Sequence, residues 1–171
     1  MGSKEIATAV AGAREYLYAH PDEARYRDSA ATAVVEDGLR VRVDGPDGAS
    51  VTTDMVPAVG GGGSAPSPAW LFRAGYASCV ATLITLAAAV EGVELTDLRV
   101  TVDSESDDRG ILGIDESVPA GPLSLRVAVR IASDSADADR LRAIAEWGRS
   151  HCPVDDLARR AVPVETTVEI G

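Results

Sequence analysis

The sequence has little positive charge and few aromatic residues. Of its 171 residues, 16 are Lys or Arg and 27 are Asp or Glu, which gives a net charge of -11. Nucleic acid is therefore not an expected partner, because phosphate binding needs clustered basic side chains. Aromatic residues make up 4% of the chain and hydrophobic residues 46%, so the core must consist mainly of Ala, Val, Leu and Ile. The length suits one domain or one protomer of a tight oligomer.

The sequence also has no basic-then-apolar leader at its N-terminus, so we expect no secretory signal and a cytoplasmic location. Its longest apolar stretch, residues 74–90, is rich in Ala, Gly, Ser and Thr and is followed closely by Glu91 and Glu94. A membrane span needs about 20 strongly apolar residues. The stretch therefore predicts a buried core helix, and no membrane partner is expected.

Only two cysteines are present, and their positions are the most informative feature of the chain. Cys79 lies in the middle of the nearly uncharged segment 68–90, which predicts a thiol deep in the core. Cys152 precedes Pro153, where a short helix should begin. Two cysteines without a leader favour a cytoplasmic dithiol over a structural disulfide. If the fold brings them together, the pair can cycle between dithiol and disulfide, as in a redox enzyme.

The hydrophobic pattern predicts an α+β fold. Residues 4–19 have helical spacing and should form an amphipathic helix that ends near His20-Pro21. A second, long helix should run from Pro68 to about Glu91, with Ser67 as its N-cap. The other expected elements are strands at 30–35, 39–43 and 50–53 in an antiparallel meander, strands at 93–102, 123–131 and 162–170, an acidic loop at 103–116, and helices within 133–150 and 155–160.

The long helix is apolar nearly all the way round after Arg73, so it should be enclosed on most sides. One protomer's sheet would hardly cover it, whereas an intertwined homodimer would. We therefore expect antiparallel sheets packed around a long buried central helix. The glycine run Gly60–Gly63 should be a flexible connector, because no Gly-Lys-Ser/Thr follows as in a phosphate-binding loop.

Three segments together resemble a known family: Gly61–Pro68, then Cys79 eleven residues further on, then His151-Cys-Pro-Val154. In these features the chain resembles the osmotically inducible protein C (OsmC) and organic hydroperoxide resistance superfamily. The resemblance covers about residues 28–171, expected to be a single OsmC-like α+β domain. Residues 1–27 are expected to be an N-terminal helical extension.

The resemblance implies an intertwined homodimer with active sites at the protomer interface and a cysteine-based peroxidase that reduces organic hydroperoxides. It implies that Cys79 attacks the peroxide, that Cys152 resolves the product into a disulfide, and that a cellular dithiol, such as a lipoyl group, reduces the pair again. Family members also use a Glu just after the helix-starting proline, where this chain has Ala69 and Trp70. The family's activating Arg could correspond to Arg25, Arg27, Arg40 or Arg42.

A thiol must lose its proton to attack a peroxide, and free Cys has a pKa of about 8.5. Cys79 lies roughly 17 Å from the start of its helix, so the helix dipole cannot help, and burial would raise its pKa. It needs a cation from another segment, because Arg73 points elsewhere on the helix. Local physics makes Cys152, at a helix start, the more acidic thiol, and His151 could assist as a base. We keep the roles that the resemblance implies.

Phe72, Gly75 and Tyr76 share the Cys79 face of the helix and are candidate substrate-binding residues, although the pattern favours plain core packing for Phe72 and Tyr76. We expect no metal, because Cys79, Cys152 and the two histidines lack a zinc-site spacing, and no other bound cofactor. Two alternatives stay open. The same scaffold could bind a small apolar or thiol-reactive ligand without peroxidase activity, with Trp70 filling space, or it could be an interaction domain with inert thiols.

Overall fold

The computed structural model describes residues 2–171 and has the mixed helical and antiparallel architecture that the sequence predicts. Its helices and strands, in chain order, are α1 (Ser3–Ala19), β1 (Thr32–Asp37), β2 (Arg40–Asp44), β3 (Ser50–Thr53), α2 (Pro68–Val90), β4 (Asp97–Glu105), α3 (Asp108–Ile111), β5 (Ser124–Ala132), α4 (Ala138–Ser150) and α5 (Pro153–Arg159). The α+β class is confirmed, with α2 as its long central helix.

The chain divides into two compact units. The first, called here the cysteine unit, contains the residues up to Ala7 and the segments Tyr76–Thr101 and Arg126–Gly171. The second, the meander unit, contains Thr8–Gly75 and Val102–Leu125. The predicted division into residues 1–27 and 28–171 follows a different boundary and stays a prediction.

The meander unit is built on the antiparallel sheet β1-β2-β3, as predicted. Val35 lies opposite Val41 across the first pair, and Val41 lies opposite Thr53 across the second. The hairpin turn between β1 and β2 needs Gly38, whose φ of 55° lies in the left-handed region that favours glycine. Every residue of β1 is exposed.

A buried carboxylate organises the glycine-rich segment that was expected to be a flexible connector. Asp54 accepts hydrogen bonds from the backbone N–H groups of Met55 (2.7 Å), Gly62 (3.3 Å) and Ser64 (3.0 Å), and from the Ser64 hydroxyl (2.8 Å). The Ser64 N–H and hydroxyl are the main reason that the pKa of Asp54 falls to about 2. The glycine-rich segment is therefore held in one conformation by hydrogen bonds to Asp54.

Helix α2 begins as its capping residues predict. The Ser67 hydroxyl accepts a hydrogen bond from the Trp70 N–H at 3.2 Å, Pro68 is the first helical residue, and Gly92, with a φ of 67°, follows the last turn. By length and composition α2 could cross a membrane, as many core helices could.

Within the cysteine unit, α2 buries one face, which carries Tyr76, Val80 and Ile84, and it also buries Ala87–Ala89 near its end. On another face, Ser78, Ala81, Thr82 and Thr85 line an open groove with Ile6 of α1. The expected enclosure on most sides is therefore incomplete in a single chain.

Helix α4 packs closely on the buried face of α2. Gly148 makes this approach possible, because a Cβ atom there would lie 2.5 Å from Cγ1 of Ile84 and 2.6 Å from its backbone nitrogen. Ile144, one turn earlier in α4, is fully buried. This contact fixes the end of α4, from which the chain passes directly to Cys152.

Strands β4 and β5 form a two-stranded sheet. The Thr96 N–H bonds to the Ala132 carbonyl at 2.9 Å and the Leu123 N–H to the Glu105 carbonyl at 2.8 Å, so the strands are antiparallel. β4 begins later than predicted and extends to Glu105, and the short helix α3 occupies part of the predicted acidic loop.

The predicted closing strand at 162–170 is wrong for this chain. Residues 160–171 carry no regular secondary structure, and Val164, Val168 and Ile170 are exposed. The alternating sequence is typical of a strand, but a strand exists only where a neighbour supplies its hydrogen bonds, and no described strand pairs with this segment.

Candidate active site

The fold brings the two cysteines together. Cys79 lies in the middle of α2, and Cys152 is the N-cap of α5. The two thiols lie close enough to interact, and both are free. This contact is the geometry that a dithiol–disulfide pair requires.

The burial of the two thiols is the reverse of the prediction. Cys79 is half-buried, whereas Cys152 is 1% exposed. α2 is enclosed on one face only, and Cys79 lies at the edge of that face. Cys152 lies at a helix start, as predicted, but this start is itself inside the unit.

The expectation that its helix position would make Cys152 acidic is wrong. The Asp155 N–H donates to its sulfur at 3.4 Å, and this and the Val154 N–H lower the pKa of the thiol. Burial acts in the opposite direction and is the largest effect, and the hydrogen bond with Cys79 adds to it, so the pKa of Cys152 is raised. Desolvation outweighs the helix end.

A cluster of charged residues lies next to the thiol pair. Asp155 of α5 is 3% exposed, and its side chain accepts hydrogen bonds from the Tyr76 hydroxyl, from Nη1 of Arg149 at 3.0 Å and from Nε of Arg159 at 2.7 Å. Burial alone would raise the pKa of Asp155, but the bonds from Arg159 and Tyr76 and the two guanidinium charges hold it below its usual value. Burial and its bond to Asp155 raise the pKa of Tyr76 to about 12.

The cation that Cys79 was expected to need is not identified. Among the hydrogen bonds described for residues 2–171, none joins a guanidinium to the Cys79 sulfur. Nη1 of Arg73 donates to the Ser104 hydroxyl at 3.2 Å in the meander unit, in agreement with the expectation that it points elsewhere.

Two of the four candidate activating arginines have carboxylate partners in the meander unit. Arg40 and Arg42 both bind Glu36, at 3.3 and 3.2 Å, and Arg42 also binds Asp44. Arg25 and Arg27 lie in the exposed segment between α1 and β1. The choice among the four stays open.

His151 is directed at α4. Its ring stacks on that of Trp147 with centroids 4.1 Å apart, and its Nδ1 lies 2.8 Å from the Trp147 carbonyl oxygen. These contacts occupy the ring face and Nδ1, so a role as base would fall to Nε2.

The three candidate substrate-binding residues have different surroundings. In the meander unit, Phe72 is 40% exposed, and no atom lies within 4 Å of the position that a Cβ on Gly75 would take. Tyr76, in the cysteine unit, is 2% exposed and uses its hydroxyl to bind Asp155. Substrate binding by these residues stays a prediction, and the burial of Tyr76 weighs against direct contact.

Sequence reasoning missed Asp155, Arg149 and Arg159. A signal was available, because Asp155 and Arg159 have the i,i+4 spacing of a helical ion pair, and Tyr76 and Asp155 lie three residues from Cys79 and Cys152 respectively. The absence of Glu at Ala69 and Trp70 drew attention to the start of α2 instead.

These features define a class of α+β proteins in which a thiol of a long central helix meets a second thiol at the start of a short helix. The chain belongs to the OsmC-like protein family, whose sequence model matches residues 61–167, more than half of the chain.

Solved structures agree with this assignment of the fold. The organic hydroperoxide resistance protein OsmC from Legionella pneumophila is 24% identical, with a TM-score of 0.58, and the match covers 79% of this chain and 91% of that one. An OsmC-like protein from Mycoplasma pneumoniae is 14% identical, with a TM-score of 0.67 and coverages of 79% and 89%. The organic hydroperoxide resistance protein OhrB of Bacillus subtilis is 20% identical, with a TM-score of 0.51 and coverages of 78% and 91%. No curated protein sequence matches the chain.

Proposed function

We propose that this chain is a thiol-dependent peroxidase that reduces organic hydroperoxides through Cys79 and Cys152. The Cys79 thiolate attacks the distal oxygen of the hydroperoxide, the O–O bond breaks, and the alkoxide takes a proton to leave as an alcohol. Cys79 is then a sulfenic acid. The Cys152 sulfur attacks the Cys79 sulfur, water leaves, and a disulfide forms. A cellular dithiol reduces that disulfide by two exchange steps and is itself oxidised.

The observation that carries this proposal is the direct contact between two free thiols of unequal exposure. A hydroperoxide must reach the sulfur that it oxidises, and the half-buried Cys79 is the more accessible of the two. Cys152 is buried and has a raised pKa, which suits a thiol that reacts only once its neighbour has been oxidised. The names of the structural relatives in Legionella and Bacillus are consistent with this substrate class.

The working form that we propose is a cytoplasmic homodimer. The open groove beside Ser78 and Thr85 and the exposed strand β1 are surfaces that a second copy could cover. In this form the second copy would also bring a cation to Cys79. Gel filtration with light scattering should give twice the chain mass.

A titration of free thiols tests the proposed chemistry. One equivalent of cumene hydroperoxide per chain should remove both thiols of the reduced protein. Cys79→Ser should abolish the reaction with peroxide. Cys152→Ser should consume the peroxide but stop at a sulfenic acid that dimedone traps. Thiols that survive the peroxide unchanged would refute the proposal.

A second candidate function is the binding of a small apolar or thiol-reactive ligand without peroxide reduction. Two features favour it: no hydrogen bond from a guanidinium to Cys79 occurs among the described residues, and Ala69 and Trp70 stand in place of Glu. In that case a thiol-reactive probe should label Cys79 rapidly, while the dimeric protein leaves cumene hydroperoxide untouched. Rapid peroxide consumption would exclude this candidate.

A further inference from the structure

Helix α5, which carries Cys152 at its start, is held in place by a buried carboxylate. It spans only seven residues, Pro153–Arg159, and a helix of this length is not stable in water by itself. Its position must therefore come from tertiary contacts. Yet Leu157, its large apolar residue, is half exposed, and its single buried residue is Asp155. The anchor of α5 is thus a carboxylate, whose burial is favourable only while it is hydrogen-bonded.

The partners of that carboxylate come from two other helices and from α5 itself. Arg149 belongs to the last turn of α4, and Arg159 to the end of α5. Tyr76 belongs to α2, where it lies one turn before Cys79. Of these bonds, the one from Tyr76 ties α5 to the helix that carries the other thiol.

Tyr76 and Asp155 each lie about one helical turn from one of the two cysteines. Tyr76 precedes Cys79 by three residues, and Asp155 follows Cys152 by three. The Tyr76 hydroxyl donates to the Asp155 side chain, while the Asp155 backbone N–H donates to the Cys152 sulfur. We propose that Tyr76 and Asp155 are positioning residues that hold the Cys152 sulfur against Cys79. The sulfenic acid of Cys79 then forms the disulfide faster than it enters other reactions.

This inference deepens the proposed function by assigning control of its resolving step. Without the bond between Tyr76 and Asp155, α5 can move from α2, and the sulfur of Cys152 spends less time beside Cys79. Loss of this bond should therefore slow the condensation of the sulfenic acid with Cys152.

The equilibrium with glutathione measures this arrangement without any peroxide. Two protein thiols and oxidised glutathione give the Cys79–Cys152 disulfide and two reduced glutathione molecules, and the equilibrium constant reports the effective concentration of one thiol at the other. Tyr76→Phe keeps the ring and removes the hydroxyl. We expect it to lower this constant at least about 10-fold, as for a lost hydrogen bond to a charged group.

Asp155→Asn, which also weakens the bonds to both arginines, should lower the constant further. Asp156→Asn is the matched control, because it removes the same charge from the next residue, whose partner is the exposed Arg160. It should leave the constant unchanged. Circular dichroism should show the Tyr76→Phe and Asp156→Asn proteins folded to the same extent as the wild type.

A second readout separates positioning from general stability. After cumene hydroperoxide is added in the presence of dimedone, Tyr76→Phe should yield several-fold more Cys79 adduct relative to disulfide than the wild type. This ratio reports the fate of the sulfenic acid and is independent of the rate at which the sulfenic acid forms. Equal constants for the wild type, Tyr76→Phe and Asp156→Asn would overturn the inference, as would a wild type that forms no internal disulfide in glutathione. If the protein does not react with peroxide but its variants show the expected order of equilibrium constants with glutathione, the peroxidase proposal is refuted and the positioning role of Tyr76 and Asp155 is supported.

Discussion

Each of the two units contains a nearly inaccessible aspartate, Asp54 in the meander unit and Asp155 in the cysteine unit, both 3% exposed. Asp54 is satisfied almost entirely by its own neighbourhood, through backbone N–H groups and one serine hydroxyl between positions 55 and 64. Asp155 accepts hydrogen bonds from three side chains, each on a different helix, and two of these side chains are charged.

The two carboxylates therefore stabilise different parts of the structure. Neutral donors from one short segment fix the shape of that segment, so Asp54 converts a glycine-rich stretch into a defined loop. Donors from separate helices fix the helices to one another, so Asp155 acts on the distance between α2 and α5. Only the second arrangement bears on the thiol pair, because Cys152 begins α5.

The largest effect in this comparison is expected from Asp155→Ala. It leaves the Tyr76 hydroxyl buried without its acceptor and removes the shared partner of Arg149 and Arg159. Breaking a buried charged network of this kind costs about 3 kcal/mol of the free energy of unfolding, reduced here because Arg159 is largely exposed. Urea unfolding measures it, with Asp156→Ala as the control, whose loss should be much smaller because its ion pair with Arg160 is exposed. Equal losses from the two variants would contradict the anchoring role.

A smaller effect is expected where α4 meets α2. Gly148→Ala would place a methyl group 2.5 to 2.8 Å from Ile84 atoms, two of which belong to the backbone. The helices must separate, at a cost of about 1–3 kcal/mol. Gly12→Ala in α1, where a Cβ meets no atom within 4 Å, is the control and should not destabilise the protein. If both variants melt at the wild-type temperature, the close helix contact is wrong.

The smallest effect is expected from acid, and it concerns Asp54. The pKa of Asp54 is lowered to about 2 in the folded protein, chiefly by the Ser64 N–H and hydroxyl. A lowered pKa means that its contribution to stability is complete above its ordinary value near 4 and is lost as the pH falls towards 2. Asp54→Asn should flatten the fall in unfolding free energy over this window. An identical pH dependence for wild type and variant would contradict the hydrogen bonds of the loop.

The sequence sufficed for features that depend on local chemistry. Ser67 and Pro68 identified the start of α2, Pro153 placed Cys152 at the start of α5, and alternating residues identified the meander. Each of these signals acts over a few residues, where capping, ring geometry and side-chain alternation decide the outcome.

Features that depend on packing could not be read in the same way. The alternating segment 162–170 has the composition of a strand but no described neighbour to pair with. Cys152 was expected to be acidic because its helix end is visible in the sequence, whereas the burial that raises its pKa is not. The bond between Tyr76 and Asp155 joins positions 79 residues apart, which only the fold brings together.

We expect Cys79 and Cys152 of one chain to form a disulfide when the protein meets an organic hydroperoxide. Peptide mapping by mass spectrometry under non-reducing conditions, after one equivalent of cumene hydroperoxide, tests it directly. A single cross-linked species should join the peptides of Cys79 and Cys152, with the protein otherwise unmodified. Both peptides recovered with free thiols, or a cross-link only between separate chains, would contradict it.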